Sequence, residues 1–271
     1  MDRPIGVIDS GVGGMTVAKE LMRQLPKESI SYIGDTKRCP YGPRTAEEVQ
    51  RFTWEMVEHL KKHDIKMLVV ACNTATAFTL KELQQKLTIP VLGVIEPGAR
   101  AAISFSENRR IGVIGTEGTV RSEAYPEALT AIDSSIFVNS QACPSFVPLV
   151  ERGIFTGPEA LAIVEKELQP LKDKNGIDTL ILGCTHYPLI RDVIQEVIGA
   201  SINVISSGEE TAREASLILS YNQLLAQSGE DPTFKFYTTG DYQKFRKIAD
   251  EWFEGPLDIF EVIELEPVPP M

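Results

Sequence analysis

The sequence has no C-x-x-C pair: its four cysteines, Cys39, Cys72, Cys143 and Cys184, stand far apart. That spacing argues against a zinc knuckle or a thioredoxin-type redox centre. A chain of 271 residues does not need disulfides, so the thiols read as reduced and the protein as cytoplasmic. No run approaches the roughly 18 apolar residues of a membrane span. The opening MDRPIGVIDSGVGG lacks the apolar core of a signal peptide. Basic stretches are missing as well. The 27 Lys and Arg against 38 Asp and Glu leave a net charge of −11, so neither a nucleic-acid backbone nor a membrane is expected as a partner. Walker A, H-E-x-x-H and G-x-S-x-G are absent. The dinucleotide fingerprint fails because Thr16 stands where the third glycine belongs.

What is present is an ordinary composition, 43% apolar and 24% charged, enough for a substantial core. Short β-branched runs recur as IGVID (5–9), SISYIG (29–34), KMLVVAC (66–72) and VLGVIE (91–96). Helical patterns lie between them. Ala18, Leu21, Met22 and Leu25 form one apolar face, closed by Pro26. Thr45 and Glu48 read as a capping box opening a helix with Val49, Phe52, Met56 and Leu60 inward. A third helix is expected over about 76–87, ending before Pro90. Alternating strands and helices predict an α/β fold with parallel sheets covered on both faces.

The pattern then restarts. RIGVIG at 110–115 repeats PIGVID at 4–9, and TLILGCTHYP at 179–188 repeats KMLVVACNTA at 66–75. The repeat predicts two pseudo-symmetric, doubly wound parallel-sheet domains facing each other across an active-site cleft. Beyond Val204 come a helix over about 209–225, a strand FKFYTT, a helix over 242–253 and a last strand DIFEVIEL. This tail is too short for a third domain and is expected to complete the first. The expected domains are 1–96 with 208–271, carrying Cys72, and 97–207, carrying Cys184. Glu96-Pro97-Gly98 and Ser206-Ser207-Gly208 are the expected hinge-like connections.

A lone buried thiol is ordinarily core filler. In open parallel sheets, however, ligands bind at the carboxyl ends of the strands. Cys72 and Cys184 hold equivalent places at such ends, one per half, so they read as an opposed pair. A thiol titrates near neutral pH, and charged neighbours shift it. One thiolate taking a proton from a carbon while the opposite thiol donates one inverts a stereocentre. The flanking residues suit such a site. Asp9 ends the first strand, where it binds a substrate ammonium, orients a thiol or simply caps a helix. Gly11, Gly13 and Gly14 offer an anion nest or simply a tight turn. His186, two residues after Cys184, is placed to stabilise a thiolate or relay a proton. A metal site on Cys184 and His186 has no further ligand at sequence spacing. Tyr41 and Gly42 in CPYGPR read as a loop able to reach the cleft. His59 and His63 read as solvated, and Cys39 and Cys143 as structural or incidental.

GVIDSGVGG, GDTKRCPYG, VVACNTATA, IGVIGTEGTV, CPSFVPLVERG and LILGCTHYPL together resemble the glutamate racemases of the cofactor-independent aspartate/glutamate racemase superfamily. The resemblance spans nearly the whole chain. It implies interconversion of L- and D-glutamate without pyridoxal phosphate, metal or nucleotide, so no cofactor is expected. By motif match, Cys72 would act on D-glutamate and Cys184 on L-glutamate, with Asp9, Glu151 and His186 as auxiliary acid/base groups. Asp9, Ser10, Tyr41, Gly42, Asn73, Thr74, Thr185 and His186 match the substrate-contacting positions, and Thr76, Thr116 and Thr119 would meet the carboxylates. Arg152 stands directly beside Glu151 and complicates that carboxylate's use. The resemblance further implies D-glutamate for peptidoglycan synthesis, a bacterial cytoplasm and a homodimer. A racemase or isomerase for aspartate or a related dicarboxylate is the alternative from the same superfamily. A non-catalytic binding protein, either a two-domain amino-acid clamp or a regulator of another protein, is the alternative from another class.

Overall fold

The computed structural model describes residues 2–172, 176–227, 229–253 and 259–268. From the N-terminus, β1 (Ile5–Asp9), α1 (Met15–Gln24), β2 (Ile30–Gly34), α2 (Ala46–Lys61), β3 (Met67–Val70), α3 (Asn73–Lys86) and β4 (Val91–Gly93) alternate. α4 (Ile95–Phe105) leads to β5 (Arg110–Gly115), α5 (Glu117–Arg121), α6 (Ala124–Ile132) and β6 (Phe137–Ala142). Next come α7 (Phe146–Glu151), α8 (Pro158–Lys172), β7 (Thr179–Gly183), α9 (Arg191–Ile198) and β8 (Asn203–Ser206). The chain closes with α10 (Gly208–Tyr221), β9 (Phe234–Thr238), α11 (Tyr242–Trp252) and β10 (Ile259–Val262).

Among the described residues ten strands form two sheets, ordered β10-β9-β2-β1-β3-β4 and β6-β5-β7-β8, and every pairing is parallel. The order β2-β1-β3-β4 is the order β6-β5-β7-β8. The sequence repeat is therefore a topological repeat, with β9 and β10 added beyond β2. Both faces of each sheet are packed. Ile5, Val7, Met67 and Val69 meet α1 and α10, while Ile8, Leu68 and Val70 meet α2. In the second sheet Leu180 and Leu182 meet α8 and α9, and Ile111, Val113 and Ile181 meet α4 and α6. Burial on both sides is why these strands read as continuous apolar runs rather than alternating ones.

Several local expectations shift. The capping box is present, with the Thr45 hydroxyl accepting from Glu48 N and the Glu48 carboxylate accepting from Thr45 N. The third helix starts at Asn73, not 76, because Cys72 caps it. Glu96-Pro97-Gly98 is not a hinge strand but the first turn of α4, where proline is tolerated because its missing N–H has no partner to lose. Ser207 is likewise the cap of α10. Both passages between the sheets are thus strand-to-helix junctions, and they touch: a Cβ on Gly98 would stand 3.1 Å from the Ser207 Cβ. The last strand is shorter than DIFEVIEL, and Asp258 lies outside the described residues. His59 and His63 are only partly solvated. Both are half-buried, with their rings packed at a tilt on each other at 5.2 Å and against Tyr237 at 5.7 and 5.3 Å.

Candidate active site

Each thiol sits just past the carboxyl end of a strand. β3 ends two residues before Cys72, whose Sγ accepts from Ala75 N at 3.4 Å as the cap of α3. β7 ends one residue before Cys184. Both thiols are buried and line a single cavity. Ser10, Tyr41, Gly42, Asn73, Thr74, Thr116, Thr185 and His186 line it with them, as do Pro40 and Val147. Its free volume is about 10 Å³, room for about one water molecule. A larger open cavity of about 580 Å³, bordered by Thr16, Lys19, Ser104 and Arg191, holds neither thiol.

The hydrogen-bond partners of Cys72 are a neutral hydroxyl and a backbone amide. Its S–H donates to Ser10 Oγ at 3.6 Å. Next to it, Asn73 Oδ1 accepts from Tyr125 at 2.7 Å, while Asn73 Nδ2 is buried with no hydrogen-bond partner among the described residues. A buried donor left unpaired costs about 1–3 kcal/mol, so it marks a place for an acceptor from a ligand. Thr74, Thr116 and Thr119 share hydroxyl contacts of 2.8, 3.2 and 3.1 Å. Thr119 stands behind the other two rather than on the cavity wall. Gly42 packs on this cluster, since a Cβ there would meet Thr116 Cβ at 2.6 Å. Two expected contacts change role. Thr76 donates to Val70 O at 2.9 Å and lies off the cavity, so it ties α3 to β3. The Tyr41 hydroxyl is committed to Asp35, which Arg38 also holds, so the tyrosine presents its ring and backbone.

Cys184 faces a charged relay instead. Its Sγ lies 3.9 Å from His186 Nδ1, and His186 Nε2 lies 2.8 Å from Glu151 Oε1. The other carboxylate oxygen of Glu151 pairs with Lys244 Nζ at 2.9 Å. Arg152 turns away to Glu159 at 2.7 Å, which leaves Glu151 to these partners. Asp9 crosses between the sheets, accepting from Gly11 N at 3.0 Å and from Thr185 Oγ1 at 3.1 Å. The glycine turn permits this approach: a Cβ on Gly13 would stand 2.5 Å from His186 Nδ1 and from Thr185 Oγ1. Close contact between the halves, rather than an anion nest, is what this turn provides.

Electrostatics separate the two sides. Burial, with the Asp9 charge adding to it, pushes the Cys72 thiol up to about 12. Burial opposes charge on His186, but hydrogen bonds to Cys184, Cys39 and Glu151 outweigh it and raise the imidazole well above its usual value. Burial would also raise Glu151, yet His186 and Lys244 hold its carboxyl down at about 2. Burial lifts Asp9, and His186 and its hydrogen bonds only partly offset that. A glutamate–imidazolium–lysine chain thus stands behind Cys184, and no comparable cation stands behind Cys72 among the described residues.

Two contributors were missed in the sequence. Cys39 is not incidental: its Sγ lies 3.8 Å from Glu151 Oε1, and with His186 it brings thiol, carboxylate and imidazole within 4.8 Å. Lys244 arrives from α11 at the far end of the chain. Cys143 lies buried in the second core, as a structural cysteine would.

The family described as Asp/Glu/hydantoin racemase matches residues 5–215. A glutamate racemase from Oceanobacillus iheyensis is 61% identical over 254 residues, covering 94% of this chain and 93% of that one. The crystal structure of glutamate racemase isoform RacE1 from Bacillus anthracis superposes with a TM-score of 0.92 at 51% identity, covering 97% of both chains. The Francisella tularensis glutamate racemase, solved in complex with D-glutamate, gives 0.90 at 33% identity over 98% of both chains. By sequence and by fold, the chain belongs to the Asp/Glu/hydantoin racemase family, and within it to the glutamate racemases.

Proposed function

We propose that this chain interconverts L- and D-glutamate by two-base proton transfer between Cys72 and Cys184. The observation that carries the reading is the pair of thiols at equivalent strand ends of a repeated sheet, lining one cavity. An α-proton leaves to one thiolate on one face of Cα while the opposite thiol delivers a proton to the other. In this assignment Cys72 acts on D-glutamate and Cys184 on L-glutamate. Deprotonation beside a carboxylate builds negative charge. The Asn73 amide and the Thr74 and Thr116 hydroxyls are the donors proposed to meet it, as preorganised donors do at other oxyanions. Asp9 and the Glu151–His186 pair set charge on either side. The closed cavity holds about one water, so glutamate enters only when the halves part. Reclosure then shields the carbanion from solvent protons.

The same reading divides the chain into 1–96 with 208–271 and 97–207, the sheets moving as two bodies about the β4–α4 and β8–α10 junctions. It places the product D-glutamate in peptidoglycan synthesis, and the enzyme in a bacterial cytoplasm as a homodimer. The test is incubation of reduced protein with L-glutamate in deuterated water without added cofactor. Loss of optical rotation with deuterium at Cα is expected. No exchange and no loss of rotation would leave a non-catalytic amino-acid clamp. Faster turnover of aspartate than of glutamate would reassign the substrate.

A further inference from the structure

The mechanism does not use Cys39, yet its thiol is aimed at two groups that it does use. Cys39 Sγ, Glu151 Oε1 and His186 Nε2 close around the space left open by Gly11. A methyl there would stand 3.0 Å from Cys39 Sγ, 3.0 Å from Glu151 Oε1 and 3.4 Å from His186 Cε1. Zinc bonds of about 2.0–2.3 Å in tetrahedral geometry place ligand atoms roughly 3.4–3.6 Å apart. Here the carboxylate lies 3.8 Å from the thiol and 2.8 Å from the imidazole. Small side-chain adjustments bridge that difference. Lys244 occupies only the second oxygen of Glu151 and keeps the carboxylate ionised and oriented. Cys39 and Glu151 are half-buried, so a cation has a route in from solvent, while His186 is buried behind them.

We propose that Cys39, Glu151 and His186 form a binding site for Zn²⁺ or a similar borderline-soft divalent cation, which acts as a reversible blocker of the enzyme and not as its cofactor. One thiolate, one imidazole and one carboxylate are a donor set suited to zinc, and three protein ligands leave the fourth position to water. Binding displaces the Cys39 thiol proton and the Nε2 proton of His186 to solvent. The imidazole is then pinned by the metal and withdrawn from its place between Glu151 and Cys184. The inhibitory half of this proposal rests on the racemase reading; the site itself does not.

Equilibrium dialysis with Zn²⁺ and optical titration with Co²⁺ test the site without reference to activity. One metal per chain is expected, with sulfur-to-cobalt charge transfer for one thiolate. Cys39→Ser and Glu151→Gln should each weaken binding by about 100-fold or more, since even outer-shell partners cost about 10–100-fold. Cys72→Ser should leave binding unchanged. Alkylation mapping on the unsubstituted protein gives a check that needs no variant: metal should shield Cys39. Absence of binding, or binding that survives Cys39→Ser and disappears with Cys72→Ser, overturns the site in favour of the thiol pair or of nothing. In the racemisation assay, stoichiometric Zn²⁺ should reduce turnover at least tenfold, and a chelator should restore it. Metal bound without slower turnover overturns the blocking role. Metal bound by a protein that never racemises glutamate overturns the proposed function and leaves the site standing.

Discussion

Lys66 and Asp178 hold the same place in the two halves. Each precedes the strand that leads to a cysteine, and each donates its backbone N–H to the carbonyl of the residue that opens the repeated motif of its half, Pro4 of PIGVID at 3.0 Å and Arg110 of RIGVIG at 3.1 Å. Their side chains have opposite charge and opposite surroundings. Lys66 is fully buried and pairs with buried Glu28 at 2.5 Å. Asp178 lies near the surface and accepts from Ser106 Oγ, Glu107 N and Asn108 N, each at 2.7 Å. The same divergence recurs at the other ends of the strands. Cys72 is met by Ser10 and a helix amide, Cys184 by an imidazole backed by a carboxylate and an amine. The repeat places two thiols opposite each other; the side chains around them make the two sides chemically unlike.

Removing the thiols tests the symmetric part and carries the largest expected effect. Cys72→Ser and Cys184→Ser should each cut racemisation about 10³- to 10⁴-fold, the upper range for a group that moves the proton itself. The variants should differ in what survives. With Cys184 alone, slow Cα exchange is expected on L-glutamate only, and with Cys72 alone on D-glutamate only. Exchange on both enantiomers in either variant would break the pairing of thiol with face.

The buried ion pair comes next. Lys66→Met strands the Glu28 carboxylate in the core and should cost about 3–5 kcal/mol in urea unfolding. Asp178→Ala gives up hydrogen bonds near solvent and should cost roughly 1–2 kcal/mol. Equal losses would erase the contrast drawn between the halves.

His186→Asn probes the charged relay behind Cys184 and should lower turnover roughly 10- to 100-fold, less than loss of a group that transfers the proton directly. Enantiomers have equal free energy, so kcat/KM must fall equally in both directions. Any asymmetry must appear in kcat with a matching change in KM, each measured separately from L- and D-glutamate. Identical kcat losses in the two directions would show that His186 serves both thiols.

The smallest effect concerns Lys244. Glu151 has its pKa lowered to about 2, opposed by burial and driven by His186 and Lys244. Its stabilising contribution is therefore present above the ordinary carboxyl value and lost as pH falls from there towards 2. His186 is raised, so its contribution is present below its ordinary value and lost as pH climbs through the raised one. Lys244→Met removes a half-exposed pair worth about 0.2–1 kcal/mol. The acid loss of stability should then be smaller and should be complete at a higher pH, by less than about one unit. Melting temperature against pH reads this shift, and an unmoved acid limb would assign Glu151 entirely to His186.

The α/β repeat was legible because strands buried on both faces show as unbroken apolar runs, and because IGVI opens both halves. Cys72 and Cys184 were legible for the same reason: each follows such a run. Cys39 and Lys244 were not, since they enter from a loop after β2 and from α11, and nothing local ties either to Glu151. Thr76 misled because a threonine near a catalytic-looking cysteine resembles a ligand contact, whereas its hydroxyl bonds the carbonyl of Val70. Glu96-Pro97-Gly98 misled because proline and glycine read as a linker, although proline also suits a helix's first turn.

The six-stranded sheet is completed by residues from both ends of the chain. β2 pairs with β9 from Ile30↔Phe234 to Gly34↔Thr238. On the ribosome, everything between those strands must be translated before the pairing can form, a delay of tens of seconds at roughly 5–20 residues per second. Throughout that interval β2 is the open edge of a nascent sheet, with its backbone donors and acceptors available to a neighbouring chain. The four-stranded sheet, contiguous in sequence, is under no such delay. The newborn polypeptide therefore carries a finished inner half while its outer half still needs protection.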